Sequence, residues 1–448
     1  MTAAWRRGWS LDGCRGMRAR TCASCAPTRC GAALRPAGIL PGLQVLLAVG
    51  LSLLALLAAL PAMSQPVDEV GAPRIAVATM QPGEIFFERF GHNAIVVDNP
   101  AAPGAVSYNF GYFDMGEPGF FLRFVLGDMH YMLAALPLVD DLAYYRDVGR
   151  GVSLQWLDLT PAQARALAAE LALNARPENA RYRYDYFTDN CSTRVRDALD
   201  RTLDGALRRQ MQVRSQGNTY RSEAVRLASP ALWMWLGFDV GLGPSADVPN
   251  SRWEDAFVPM RLADSLAAIR LADGRPLVRA DEALLPHRIA PEPAEARFAW
   301  WPWLAAGLVF GALALWQRKR PRRMAAVALA WWTLCAVVSL LMLFLWFGTA
   351  HRFGWANHNL ALFNPLCLLL LPGAWRIARG RPGGRAFAAA LWCVATVAAL
   401  SMFLLWLPLL PQRNAHWIAL LLPVQLALAA VLLPHAGRRA PRGPMAAD

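Results

Sequence analysis

The chain has 448 residues, of which 56% are hydrophobic, and it carries 18 tryptophans and a formal net charge of +13. So much apolar material excludes a purely soluble protein, because it indicates segments that lie in lipid. Residues 65–298 contain 24 arginines, no lysine and 30 acidic residues, which gives this segment a net charge of −6. The excess basic residues therefore lie in the N-terminal tail and in short loops between apolar segments, where positive charge reports membrane orientation. This distribution excludes nucleic acid as a partner.

Residues 1–64 are predicted to be a basic tail followed by a signal peptide or an uncleaved membrane anchor. The apolar run 39–61 follows an arginine-rich stretch, and Ala62-Met63-Ser64 has small residues where a signal peptidase cleaves. The run is also long enough to span a bilayer, so both alternatives stay open. Either alternative exports the segment that follows.

Residues 65–273 are predicted to form an exported domain that begins with strands. Three short segments are rich in β-branched and aromatic residues and are bounded by Gly, Pro or Asn, which is typical of strands. These segments are residues 74–79, 93–98 and 105–112.

Two helices are predicted later in the same domain. Thr160-Pro161-Ala162-Gln163 is a capping box with proline at the first helical position, and it predicts a helix that ends near Arg176. A second helix is predicted to begin at Asp189-Asn190. Strands followed by helices indicate an α+β domain.

A proline-rich linker, residues 274–299, is predicted to precede an all-α transmembrane bundle of about five helices at residues 300–434 and a cytoplasmic tail at residues 435–448. The apolar segments lie at about 300–316, 324–347, 360–375, 386–410 and 417–434. Loops 317–323 and 376–385 are strongly basic, whereas the alternate loops carry one arginine each. The positive-inside rule then predicts a multi-pass membrane protein with its first domain on the outer face and its C-terminus in the cytoplasm.

Cys191 is the candidate nucleophile. It is the only cysteine between Cys30 and Cys335, and it follows Asp189-Asn190 at the predicted start of a helix. Unpaired backbone N–H groups and the helix dipole favour a thiolate at such a position. The alternative interpretation is a small buried cysteine with no chemical role.

A thiolate used for acyl transfer needs a general base, and His92 is the best placed of the histidines in the domain. It lies at the start of a predicted strand, whereas His287 lies in the predicted linker and His130 has no polar neighbour at helpful spacing. Asn109, on the next predicted strand, is the candidate for orienting the imidazole. The alternatives for that orienting role are Tyr108 and Asp114. A hydrogen-bonded structural histidine is the alternative reading of His92.

His351, Asn357 and Asn359 lie in a loop predicted to be on the outer face of the membrane. Polar side chains gathered at a lipid boundary are able to hold a phospholipid head group or an incoming acceptor. We therefore predict a substrate-binding role for them, with solvation of a turn as the alternative.

Several sequence blocks carry a resemblance to a known family. "FGHNAI", "YNFGYFD", "FVLGDMHYML" and "PENARYRYDYFTDNCSTRVRDAL" together resemble the Lnb N-terminal periplasmic domain over roughly residues 70–260. That family is similar to permuted papain-like proteins of the lecithin:retinol acyltransferase type, in which a histidine on an early strand precedes a cysteine at a helix start. The resemblance implies a permuted papain-like fold with His92 and Cys191 as catalytic residues, and "HRFGWANHNLALFNPL" extends it into the membrane part.

The resemblance also implies a location and an activity. The location is the bacterial inner membrane, with the catalytic domain in the periplasm. The activity implied is that of a lipoprotein N-acyltransferase, which moves an acyl chain from a phospholipid donor through a cysteine thioester to a lipoprotein acceptor, without a cofactor. The alternatives are a periplasmic cysteine peptidase or amidase acting on cell-wall peptide, and a non-catalytic membrane assembly factor. No metal is expected, since Cys22 and Cys25 have ligand-like spacing but no histidine nearby.

Overall fold

The computed structural model of the protein describes residues 71–295, 299–406 and 411–437. The predicted tail and signal peptide or anchor, residues 1–64, lie outside the described residues. So does the C-terminal tail beyond residue 437.

A seven-stranded antiparallel sheet organises the first part of the described chain. Its strands are β1 (Arg74–Met80), β2 (His92–Asp98), β3 (Val106–Tyr112), β4 (His130–Pro137), β5 (Val152–Leu157), β6 (Arg181–Arg183) and β7 (Val278–Leu285). The strand order is β6-β4-β3-β2-β1-β5-β7. The three predicted strands are β1, β2 and β3, which are adjacent in the centre of the sheet.

Ten helices accompany the sheet in this part of the described chain. They are α1 (Phe120–Leu126), α2 (Leu138–Asp147), α3 (Pro161–Asn174), α4 (Pro177–Ala180), α5 (Cys191–Thr202), α6 (Ala206–Met211), α7 (Tyr220–Ala228), α8 (Leu232–Gly241), α9 (Arg252–Asp255) and α10 (Pro259–Ala268). Both predicted helix starts are confirmed, since Thr160 caps α3 and Asn190 caps α5. The domain is therefore α+β, as predicted.

Helix α5 packs on one face of the sheet. Its Val195 and Leu199 are fully buried and share a core with Ile95 and Val97 of β2. These apolar residues recur at i and i+4, so they lie on one side of the helix. This packing brings the first residue of α5 to the end of β2 where His92 lies.

Strand β7 lies in the segment predicted to be a linker. Residues 278–285 pair with β5 along its whole length, so the sheet domain extends past the predicted boundary at residue 273. The strand was missed because it is an exposed edge strand, and its polar "VRADEALL" lacks the apolar alternation of a half-buried strand.

The second part of the described chain is helical. Its helices are α11 (Trp301–Trp316), α12 (Pro321–Gly348), α13 (Cys367–Ala378), α14 (Arg385–Leu404) and α15 (Ala415–Leu432). Within the described residues, three helical segments are long and apolar enough to cross a membrane, namely α12, α14 and Ala415–His435. The predicted segment 360–375 starts later, at Cys367, because Asn364-Pro365 interrupts the chain just before it.

Two glycines allow α11 to lie directly against α15. A Cβ atom on Gly307 would come within 2.6 Å of the carbonyl oxygens of Ala419 and Leu420, and one on Gly311 would come within 3.2 Å of the Pro423 oxygen. Small residues four positions apart let helix backbones approach closely in a membrane.

We expect Gly307→Val to weaken this packing by about 1–3 kcal/mol, because the new side chain would force the two backbones apart. The measurement is the midpoint of thermal unfolding in detergent. Gly237→Val is the matched control, since a Cβ on that helical glycine would meet nothing within 4 Å. Equal midpoints for the two variants would contradict the close contact.

Candidate active site

Cys191 is the first residue of α5, and the residue before it locks the start of the helix. The Asn190 side-chain oxygen accepts a hydrogen bond from the Thr193 N–H at 2.9 Å, and the Thr193 hydroxyl accepts one from the Asn190 N–H at 2.8 Å. Asn190 also donates its amide N–H to the Phe257 carbonyl oxygen at 2.9 Å. This capping box fixes the backbone on which Cys191 sits.

The polar residues ahead of Cys191 build the turn that delivers it. Asp185 Oδ1 accepts hydrogen bonds from the backbone N–H groups of Phe187 and Thr188, each at 2.9 Å. Arg194 donates two hydrogen bonds to the Asp189 carboxylate, at 2.6 and 2.9 Å. These hydrogen bonds hold the tight turn that leads into Cys191.

His92 and Asn109 meet at the same end of the sheet. They lie on the neighbouring strands β2 and β3, and His92 Nε2 is 2.9 Å from Asn109 Oδ1. Asn109 donates its own N–H to the buried carboxylate of Asp141 at 2.9 Å and to the Ser107 hydroxyl at 2.9 Å. With its nitrogen facing Asp141, Asn109 presents its oxygen to His92, which keeps a proton on Nε2 and leaves Nδ1 free to serve Cys191.

The charge environment favours a thiolate and an imidazolium. Burial alone raises the pKa of Cys191, but the charge and hydrogen bond of His92 and the N–H groups of Asn93 and Ser192 outweigh it and lower that pKa. Burial alone lowers the pKa of His92, but Cys191, Asp141 and Asn109 outweigh it and raise that pKa. Each shift favours the charged form of its group, so the Cys191 thiolate and the His92 imidazolium stabilise each other.

Gly111 makes room for Cys191 at a bulge in β3. Its φ is +85°, and a Cβ atom there would lie 3.6 Å from the Cys191 Cβ, 3.4 Å from the Tyr184 ring and 3.8 Å from the Tyr182 hydroxyl oxygen. That hydroxyl oxygen is buried beside the Gly111 backbone. Sequence reasoning missed Gly111 and Tyr182, although a glycine inside the strand-like "YNFGYF" signals a bulge or a close approach.

The remaining predicted candidates lie elsewhere. His130 is exposed and contacts Asp128 at 3.1 Å, and His287 Nδ1 accepts the Gly151 N–H at 3.0 Å. Asp114 accepts a hydrogen bond from the Gly116 N–H in an exposed turn. Tyr108 is buried in the core beneath the sheet. No group of three or more His, Cys, Asp or Glu in the described ranges is arranged to hold a metal ion.

The predicted substrate-binding residues join the two parts of the chain instead. Asn357 and Asn359 are 3% and 0% exposed. Asn357 donates to the carbonyl oxygens of Val240 and Leu242, at 2.7 and 3.0 Å, and Asn359 donates to Val240 at 3.1 Å. The His351 ring nitrogen lies 3.1 Å from the Phe124 carbonyl oxygen. Since these groups already bond to the backbone, the geometry favours a structural role over the predicted one.

The loop after α12 also touches the turn that precedes Cys191. Arg352 forms an ion pair with Asp185 at 3.2 Å. Phe353 enters the core of the sheet domain, where its ring lies 4.8 Å from Phe187 and 5.2 Å from Tyr220. The membrane part therefore supports the backbone that positions Cys191.

We expect iodoacetamide to alkylate Cys191 at pH values well below those at which an ordinary thiol reacts, because its pKa is lowered by His92. In His92→Gln the alkylation profile should move to higher pH, since burial then acts unopposed by the imidazolium. Rate constants measured by mass spectrometry across pH would check this. Identical profiles for the two proteins would contradict the pairing.

Two family models match the chain. The Lnb N-terminal periplasmic domain matches residues 69–226, a range that contains His92, Asn109 and Cys191. The Lnb transmembrane domain matches residues 296–435. No curated protein and no solved structure matches the chain. The two matches together cover most of the chain, in the order of a periplasmic domain followed by a transmembrane domain.

Proposed function

The chain belongs to the Lnb-type family, and on that premise we propose that it is a membrane-bound, thiol-dependent acyltransferase. It takes an acyl chain from a phospholipid, carries it as a thioester on Cys191, and passes it to an acceptor, the N-terminal amine of a bacterial lipoprotein. The observation that carries this proposal is the pairing of Cys191, at the start of α5, with His92, whose Nε2 is held by Asn109. A nucleophile, a base and an orienting group in one site are what acyl transfer by a thiol requires.

In the first half of the reaction, His92 takes the proton of Cys191 and the sulfur attacks the ester carbonyl of the phospholipid. A C–S bond forms, and the ester C–O bond breaks as the tetrahedral intermediate collapses. The proton held by His92 passes to the departing oxygen. Lysophospholipid leaves, and the acyl chain remains on Cys191.

In the second half, the acceptor amine attacks the thioester carbonyl. A C–N bond forms, the C–S bond breaks, and the amine proton passes through His92 to the sulfur. The enzyme returns to its starting state with an amide as product, so no external cofactor is needed to balance the reaction.

Three donors are available to stabilise the oxyanion of both intermediates. The backbone N–H groups of Asn93 and Ser192 face the sulfur. The Tyr182 hydroxyl is buried near the same bulge as the Cys191 Cβ, where its O–H group can donate a hydrogen bond. Donors fixed in advance around a developing oxyanion are a main source of rate enhancement in acyl transfer.

The test uses membranes that contain the full chain and a phospholipid with an alkyne at the end of one acyl chain. We expect a label on Cys191 that hydroxylamine removes, followed by transfer of the label to an added diacylated lipopeptide. In Cys191→Ser any label should resist hydroxylamine, because an oxygen ester replaces the thioester. Absence of label together with cleavage of cell-wall peptide would favour the cysteine peptidase or amidase, and absence of both would favour an assembly factor.

We also propose that the protein lies in the inner membrane with its C-terminus in the cytoplasm, as the loop charges indicate. Alkaline phosphatase fused after Gly437 should then be inactive, whereas a fusion truncated after His351 should be active. Phosphatase activity in cells expressing each fusion is the measurement. An active fusion after Gly437 would overturn this topology.

A further inference from the structure

An exposed apolar surface lies on three neighbouring segments of the periplasmic domain: the turn before Phe86–Glu88, helix α1 and helix α8. Its large side chains are 45–69% exposed, and together we name them the apolar rim: Ile85, Phe121, Leu122, Val125, Leu232 and Trp233. Phe86 joins the segments, since its ring stacks on Trp233 at 5.7 Å and meets Phe124 edge-on at 5.9 Å. A connected apolar surface of this kind marks a site of interaction with a protein or a membrane.

Both helices of the rim are attached to membrane helices near their outer ends. The Leu126 carbonyl oxygen, at the end of α1, accepts the Ala350 N–H at 2.8 Å, just after α12 ends. In α8, the ring of Trp235 stacks on Trp303 of α11 at 6.0 Å. Also in α8, the Asp239 carboxylate accepts the Trp417 indole N–H at 2.8 Å, near the start of α15. Both helices that carry the rim therefore lie directly beside the ends of helices of the membrane part.

A row of aromatic rings connects the rim to the nucleophile. At the start of α1, Phe120 stacks on Phe113 with 5.5 Å between ring centroids. Phe113 stacks on Tyr131 at 4.8 Å, and Tyr131 lies 4.5 Å from Tyr184. The Tyr184 ring flanks the same β3 bulge as the Cys191 Cβ. A continuous row of packed aromatic side chains therefore runs from the exposed surface to the bulge beside Cys191.

We propose that the apolar rim inserts into the outer leaflet of the bilayer and that the acyl chain of the donor reaches Cys191 along the aromatic row. The ester carbonyl of a phospholipid lies at the boundary between acyl chains and head groups. If the donor reaches Cys191 from that depth of the bilayer, the phospholipid has to move only a short distance, and its acyl chain stays in contact with apolar rings. The identity of the donor rests on the proposed function, whereas insertion of the rim does not depend on catalysis.

The surface assignment is tested by photo-crosslinking in the full chain. Leu122 or Trp233 is replaced with p-benzoylphenylalanine, and native membranes are irradiated. Leu173 of α3, which is 51% exposed but outside the rim, is the matched control position. We expect phospholipid adducts by mass spectrometry at 122 and 233 and none at 173. An adduct to another protein or to a second copy of the chain, no adduct, or equal adducts at 173 would overturn the proposal.

This readout separates the two proposals. Lipid adducts on a chain whose Cys191 never carries an acyl group would leave the surface assignment standing and sink the proposed acyltransferase. A Cys191 thioester without lipid adducts at 122 and 233 would support the acyltransferase and overturn the surface assignment.

The route is tested with the double variant Leu122→Glu/Trp233→Glu. We expect thioester formation from phospholipid vesicles to fall about tenfold or more, because buried carboxylates oppose insertion into lipid. Thioester formation from a water-soluble short-chain thioester should be unchanged, and Leu173→Glu should behave like the wild type with both donors. Unchanged labelling from vesicles, or an equal loss with both donors, would overturn the route.

Discussion

Replacing Cys191 or His92 with alanine is expected to abolish both acyl-enzyme formation and transfer to the acceptor, while the chain stays folded in the membrane. The two groups act as a unit, so removing either should cost nearly the whole effect, about 10⁴-fold or more in rate. Folding should survive in Cys191→Ala, since α5 is capped by Asn190 and Thr193 and not by the thiol. Labelling with the alkyne phospholipid and the thermal unfolding midpoint are the measurements.

His130→Ala is the matched control for the base, because His130 is an exposed histidine of the same domain whose ring lies 3.1 Å from the Asp128 carboxylate. It should label at the wild-type rate. If Cys191→Ala still consumed the lipid donor as fast as the wild type, the acyl-enzyme mechanism would be wrong. If His92→Ala did so, a different group would be the base.

Local signals in the sequence were enough to predict several elements that build the site. Strands β1 to β3 follow from short apolar segments bounded by turn residues, and α3 and α5 follow from side chains that cap their own helix. These signals depend on residues a few positions apart. The meeting of His92 with Asn109 also followed, because consecutive strands usually pair.

The parts that could not be predicted depend on contacts between distant residues. Phe353 lies in a loop between membrane helices, yet its ring completes an aromatic cluster with Phe187 beside the nucleophile turn. From the sequence Asn357 was expected to be free to bind a substrate, but its amide donates hydrogen bonds to backbone oxygens of residues more than a hundred positions earlier. No local sequence pattern predicts either contact, since each forms only when the two parts of the chain pack together.

Asp141 is the clearest example of a site residue that depends on distant contacts, because no sequence pattern around it predicts a role in the site. It lies in the first turn of α2, is buried, and accepts hydrogen bonds from the Ser107 hydroxyl at 2.7 Å and from Asn109 at 2.9 Å. A carboxylate only accepts hydrogen bonds, so it fixes which end of the Asn109 amide faces it. Asp141 is therefore a positioning residue that acts on His92 through Asn109.

Asp141→Asn is expected to slow thioester formation about 10²–10³-fold, because the Asn109 amide is then free to turn its N–H group toward His92 and disfavour the productive tautomer. A pH effect should accompany the loss. The Asp141 charge is one of the causes that raise the pKa of His92, so its removal lowers that pKa. His92 then loses its proton at lower pH, and the alkaline limb of the rate profile should move to lower pH.

The control is Asp140→Asn, which makes the same change at the exposed neighbouring residue and should leave both rate and profile unaltered. A purely structural role for Asp141 would lower the unfolding midpoint or the amount of active protein without moving the alkaline limb. If Asp141 acts on His92 through Asn109, the alkaline limb of the rate profile should move while the unfolding midpoint stays unchanged. An Asp141→Asn protein with the wild-type rate and profile would show that Asn109 keeps its orientation without the carboxylate, and that the backbone of β3 alone sets the base.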